Sequence, residues 1–144
     1  MTRSEANKQV ALHFLQAMSD ADAAAQEECL APDAVTHTHG FGKVSGTRNR
    51  ETMLATVGAF KSILPQGFNP TIHRVTEEGN TVVVEWDGDA VLSNGVPYHN
   101  QYVFIFTFTG GKISRLDEYF CTVHADATIY PLLLELSEAM AQGN

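Results

Sequence analysis

Between residues 97 and 109 the chain places Tyr98, Asn100, Tyr102, Phe104, Phe106 and Phe108 at every second position. A pleated strand puts all six on one face, and His99, Gln101, Val103, Ile105 and Thr107 on the other. Asn94-Gly95 precedes the run and Gly110-Gly111 follows it, and both pairs are turn signals. The stretch 96–122 therefore reads as two long strands of a meander, one of them carrying an aromatic strip with an asparagine near its end. Such a strip is either the wall of a ligand pocket or a plain aromatic core.

The turns decide which side chains join it. A two-residue type I′ turn at Asn94-Gly95 pairs Ser93 with Val96, and so Asp89 with Asn100, Asp87 with Tyr102 and Glu85 with Phe104. That register sets three carboxylates on the aromatic face, where unpaired charge is costly. After the strip, a three-residue loop of Thr109, Gly110 and Gly111, with Gly111 left-handed, pairs Phe108 with Lys112. Glu118 then faces Tyr102, flanked by Leu116 and Phe120. A two-residue Gly110-Gly111 loop would turn Glu118 away and bring Arg115, Asp117 and Tyr119 beside the phenylalanines, so the longer loop is expected. A turn at Gly79-Asn80 sets Arg74 against Glu85 as a structural pair. Asp87, Asp89, Asn100, Tyr102 and Glu118 thus converge. A carboxylate among aromatics has a raised pKa and can exchange protons near neutral pH. The plainer alternative leaves Asp87 and Asp89 solvated at a strand end.

The remaining chain supplies helices first and strands after. Ser4 can cap a helix over 4–19 carrying Val10, Phe14 and Ala17 on one stripe. Asp20 or Asp22 can cap a short helix over 23–30, ended by Pro32. A short strand is expected over 34–39, a glycine loop from Gly40 to Gly46, and a helix over 50–64 with Met53, Val57, Phe60 and Leu64 at helical spacing. Strands are expected over 70–76, 81–92, 97–109 and 112–122, then a final helix over 126–141. This order is α+β, with helices segregated to one side of a mainly antiparallel sheet. Val82, Val84, Trp86, Val103 and Ile105 suggest a second apolar face, so a homodimer is expected to cover it, with the C-terminal helix as the alternative cover.

At 144 residues the chain reads as one domain. Nine basic against seventeen acidic side chains, a formal charge of −8, argue against nucleic acid or an anionic membrane as partner. No leader-like or membrane-spanning run is evident, so a soluble cytoplasmic protein is expected. Cys29 and Cys121 are too few for a disulfide framework. His37 and His39 could share a metal, but no third ligand is positioned by sequence, so no metal or other cofactor is expected; a histidine base or donor at a pocket mouth fits them better, and a plain surface position is the commonest outcome for such residues.

The segments 31–40 (APDAVTHTHG), 46–51 (GTRNRE), 94–102 (NGVPYHNQY) and 111–122 (GKISRLDEYFCT) resemble the SnoaL-like branch of the nuclear transport factor 2-like superfamily. That fold is shared by ketosteroid isomerase, limonene epoxide hydrolase and polyketide cyclases, and the likeness covers about residues 7–124. It implies a cone of three N-terminal helices on a curved sheet enclosing a pocket, with the C-terminal helix outside the likeness. The cyclases and hydrolases carry an Asp where this chain has Glu118. The hydrolases add an Arg and an Asp on the preceding hairpin, where this chain has Glu85, Asp87 and Asp89. The isomerase's first-helix Tyr and two Asp residues match Phe14, Thr38 and Phe104, which implies a different mechanism here. His37 matches a His found in many SnoaL-like sequences.

The expected function is cofactor-free acid/base chemistry, cyclisation or isomerisation, on a small apolar carbonyl compound. Glu118 would exchange the proton, Tyr102 and Asn100 would bind a substrate oxygen, and Asp87 and His37 would tune them. Tyr98, Asp89, Phe104, Phe120, Thr38 and Phe14 would line the pocket. The alternatives are a non-catalytic binding or dimerisation module, or epoxide-hydrolase-like hydrolysis.

Overall fold

The computed structural model describes residues 2–142, apart from the side chain of Ser4. These form α1 (Arg3–Ser19), α2 (Ala23–Glu28), β1 (Leu30–Thr38), β2 (Gly46–Asn49), α3 (Arg50–Ile63), β3 (Thr71–Glu78), β4 (Thr81–Val91), β5 (Pro97–Thr109), β6 (Lys112–Phe120) and α4 (Thr122–Gln142). Thr2 caps α1 through a capping box, its Oγ1 accepting from the Glu5 amide at 3.2 Å and its amide donating to Glu5 Oε2 at 2.9 Å. The expected cap, Ser4, falls inside the helix, and its side chain lies outside the described residues. Asp22 caps α2.

Two boundaries moved. Helix α2 stops at Glu28 because Leu30 already begins β1. Pro32 is exposed within that strand, where the pairing to β6 is irregular and a missing N–H is tolerated. The glycine-flanked stretch expected to be loop as far as Gly46 continues into a true strand, β2, paired antiparallel with β1.

The strands form one sheet in the order β2-β1-β6-β5-β4-β3, antiparallel except for the β1–β6 pair. This is the α+β cone expected from sequence, a curved open sheet with helices on its inner side. Phe14, Leu15, Trp86, Phe104, Phe106, Ile113 and Leu116 are almost fully buried inside it. Each such side chain contributes about 1.5–3 kcal/mol by leaving water. Trp86 stacks on Tyr102 at 4.1 Å, and Phe14 meets Phe106 edge-on at 5.4 Å. Val82, Val84 and Trp86, expected on an outer apolar face, belong to this core. The outer face instead mixes half-buried Val83, Val103 and Ile105 with Glu85, Asp87 and Asp117. Among the described residues no helix is long and apolar enough to cross a membrane.

Candidate functional site

The β4–β5 register differs by one residue from the expected one. Only Gly95 in that turn has positive φ (84°); Asn94 does not, so the two left-handed residues of a type I′ turn are absent. Leu92 is buried, its N–H bonds the Val96 carbonyl at 2.9 Å, and the Ser93 N–H is taken by the Ile63 carbonyl at 2.9 Å. The loop therefore spans three residues, and Asp87 pairs with Gln101, Asp89 with His99 and Glu85 with Val103. All three carboxylates face outward. Asp87 lies 3.1 Å from His73 and 3.8 Å from His99, Asp89 is exposed, and Glu85 pairs with Arg74 as expected. Asp87 and Asp89 are thus corrected out of the site. The inward position falls to Gly88, where an added Cβ would come within 3.1 Å of both the Trp86 and Tyr102 rings.

Glu118 does face inward, by another route than expected. Gly110 and Gly111 both have positive φ (59° and 81°), and Thr109 pairs with Lys112, so the turn is the two-residue one. A bulge then drops Ser114 from the ladder, and its Oγ donates to the Thr107 carbonyl at 3.1 Å. The extra residue restores Phe106 against Leu116 and sets Glu118 opposite Phe104 rather than Tyr102.

Around Glu118 the neighbouring strands supply the polar partners. Thr38, its β1 neighbour in the parallel ladder, donates to Oε1 at 2.8 Å. Arg48 on β2 donates from Nη2 to the same oxygen at 3.0 Å, and also to the Thr38 hydroxyl. Oε2 accepts from no side chain or amide among the described residues. Burial pushes the Glu118 carboxyl above its usual range, while the Arg48 charge and the bonds from Thr38 and Arg48 pull it back. Arg48 was missed because the glycines around it read as loop. The usable signal was Asn49, whose side chain caps α3 by accepting from the Thr52 amide at 2.9 Å and so fixes where the strand must end.

A second polar group stands further along the aromatic strip. The Tyr98 and Tyr102 hydroxyls are 2.7 Å apart. Asn100 Nδ2 donates to Tyr98 Oη at 2.8 Å and to the Cys121 carbonyl at 3.0 Å, while Oδ1 accepts from the Gln101 and Cys121 amides at 2.9 and 3.1 Å. All four hydrogen-bonding positions of Asn100 are used, so it orients Tyr98 instead of binding substrate. Two hydroxyl protons share one mutual bond, which leaves one without an acceptor among the described residues. Burial raises the pKa of Tyr98 and raises that of Tyr102 further, so both stay neutral donors.

Glu118, its partners and the two tyrosines, but not Asn100, line a cavity of about 450 Å³. Phe14, Thr38, Tyr98, Tyr102, Phe104, Glu118 and Phe120 all reach it, as do Arg48 and two unforeseen polar residues, Gln26 and Thr36. Helix α4 closes one side with Ile129, Tyr130, Leu133 and Leu134. His37 does not reach the cavity. It alternates with inward Thr36 and Thr38, bonds Thr47 at 2.7 Å and meets His39 on the outer face, where His39 pairs with Asp117 at 2.8 Å. Among the described residues no three His, Cys, Asp or Glu side chains gather as a metal set.

The model of a SnoaL-like domain family matches residues 11–116. No curated protein matches. Among solved structures, a candidate isomerase from Bacillus subtilis is 19% identical with a TM-score of 0.74, covering 90% of this chain and 96% of its own. A candidate SnoaL-like polyketide cyclase from Jannaschia sp. CCS1 is 17% identical with a TM-score of 0.74, covering 90% and 94%. An LEH-like epoxide hydrolase of M. tuberculosis is 17% identical with a TM-score of 0.69, covering 99% and 100%. At these identities the likeness is one of fold.

Proposed function

The chain belongs to the SnoaL-like domain family, and from that premise we propose that it performs proton-transfer chemistry, cyclisation or isomerisation, on a small apolar carbonyl compound. The observation that carries the reading is the unshared Oε2 of Glu118, held in an apolar cavity that also offers a spare tyrosine proton. Arg48 and Thr38 fix Oε1, so Oε2 is the oxygen left to take a proton from carbon. The tyrosine pair donates to the carbonyl oxygen, where negative charge grows as that proton leaves. Asn100 and the Trp86 stack hold the two rings, so the donor needs no rearrangement when charge develops. The same carboxyl can return the proton at another carbon.

The test is solvent exchange. Purified protein in deuterated buffer should incorporate deuterium α to the carbonyl of cyclic enones or aryl ketones, read by mass spectrometry, and Glu118→Gln should reduce the rate by about 10²-fold or more. Ketones that raise the melting temperature yet never exchange would favour a binding module instead.

A further inference from the structure

Five buried side-chain polar atoms among the described residues have no hydrogen-bond partner: Asn7 Nδ2, Gln26 Oε1, Thr36 Oγ1, Arg50 Nε and Trp86 Nε1. Two of the five residues, Gln26 and Thr36, line the cavity. They are 1% and 3% exposed. Folded chains satisfy nearly all such groups, because an orphaned buried donor or acceptor keeps its full desolvation cost. Two orphans carried by residues that line one cavity are therefore best explained by a polar group that enters it.

Register gives the position of Thr36, and Gln26 stands on α2, whose capping residue Cys29 accepts from the Ile113 amide at 2.8 Å and so ends the helix on the Leu116 side of Glu118. Thr36 is opposite Leu116 and Thr38 opposite Glu118, so Thr36 stands one inward place further along β1. Beyond that row the sheet stops lining the cavity, since neither Ile113 nor its partner Phe108 reaches it. Tyr102, paired with Phe120, lies one inward place on the other side of Glu118. The cavity thus carries polar groups in three rows, spanning four residues or about 13 Å of strand. Glu118 is the middle one.

We propose that Thr36 and Gln26 form a second polar subsite that binds a hydroxyl group of the ligand, at the opposite end from the oxygen held by the tyrosine pair. The chemistry selects a hydroxyl over a carbonyl. Gln26 Oε1 can only accept, so its partner must bring a hydrogen, while the Thr36 hydroxyl can donate to the same oxygen. The ligand class is then an elongated apolar molecule with an oxygen at each end, one of them an alcohol or phenol. This rests on the acid/base reading for one point, that such anchoring brings the middle of the molecule to Glu118.

Binding, without turnover, tests it. Three rigid fluorescent probes share one long skeleton: 4-methoxystilbene, 4,4′-dimethoxystilbene and 4,4′-dihydroxystilbene, of which the last alone brings a hydroxyl. Titrations of the wild-type protein should give a Kd about tenfold lower for the dihydroxy compound than for the other two. Thr36→Val and Gln26→Met should each move that ratio toward one, leave the Kd of 4-methoxystilbene within about twofold, and raise the urea midpoint of the free protein. Failure to bind any probe, equal affinities for the dihydroxy and dimethoxy compounds, or a ratio surviving both substitutions would overturn the subsite. Because no proton transfer is measured, the subsite and the deuterium-exchange reading can fail separately.

Discussion

Arg48 Nη2 sits 3.0 Å from Glu118 Oε1, joining the short strand β2 to the far side of β1 across the cavity wall. Both side chains are largely buried, at 26% and 13% exposed. The pair sets two opposed pulls on one carboxyl: burial raises its pKa, and the guanidinium lowers it. Removing the cation while keeping the stem, as in Arg48→Met, leaves only the Thr38 bond to oppose burial. The acidic limb of a kcat/KM profile should move to higher pH, and an unmoved limb would mean that Glu118 is not the titrating base.

Glu118→Gln probes the same group through stability. Its folded pKa is raised above the unfolded value, so its contribution is fully present below the unfolded pKa and is lost as pH rises through the folded one. The wild-type chain should therefore lose stability relative to Glu118→Gln across that window and run parallel to it above. Urea midpoints measured between pH 4 and 8 check the sign. A difference that grows in the wild type's favour with rising pH would contradict it.

The fold was legible because its signals are local and repeated: the period-two aromatic run, the helical stripes and the glycine turns. The site was legible in part, since its inward or outward facing depends on single-residue register. Asn94-Gly95 suggested a two-residue turn, but burying Leu92 and bonding Ser93 to Ile63 required a third residue, which sent Asp87 and Asp89 outward. Glu118 kept its inward place only because the Ser114 bulge offset a shorter turn than expected. Arg48 and Thr36 depend on β2 pairing with β1, a tertiary event that a strand of four residues hardly announces.

Asn100 should matter for stability more than its size suggests. Asn100→Ala would strip partners from Tyr98, the Cys121 backbone and the Gln101 amide at once. A loss of about 2–4 kcal/mol is expected in urea unfolding, against less than about 0.5 kcal/mol for Asp89→Ala at its exposed position. Equal effects would show that Asn100 is not the tie between β5 and the end of β6.

The two cysteines should separate cleanly. Cys29 is buried beside Ala25, whose carbonyl it contacts at 3.6 Å, and burial pushes its thiol up to about 11. Cys121 is exposed. Iodoacetamide at pH 8 should alkylate Cys121 and spare Cys29 until urea unfolds the chain, as peptide mapping would show. Early labelling of Cys29 would mean that this part of the core opens readily.

Asp126 ties helix α4 to a loop that lines the cavity. Its carboxylate oxygens accept from the backbone amides of Lys43 and Val44 at 2.7 and 3.0 Å, tying the first turns of α4 to the loop between β1 and β2. Gly42 permits this approach, since a Cβ there would lie 2.6 Å from Asp126 Oδ2. One turn on, Tyr130 lies under Lys43 at 5.5 Å, and the same face of α4 sends Ile129, Leu133 and Leu134 toward the cavity. Asp126→Ala removes both acceptors and leaves the cavity's polar rows untouched. Amides at 42–45 should then exchange with deuterium faster, and stilbene probes should associate and dissociate faster, with the wild-type preference for the dihydroxy over the dimethoxy compound retained. Unchanged exchange at 42–45 would show that the loop is held by other contacts, and that α4 does not gate the cavity through Asp126.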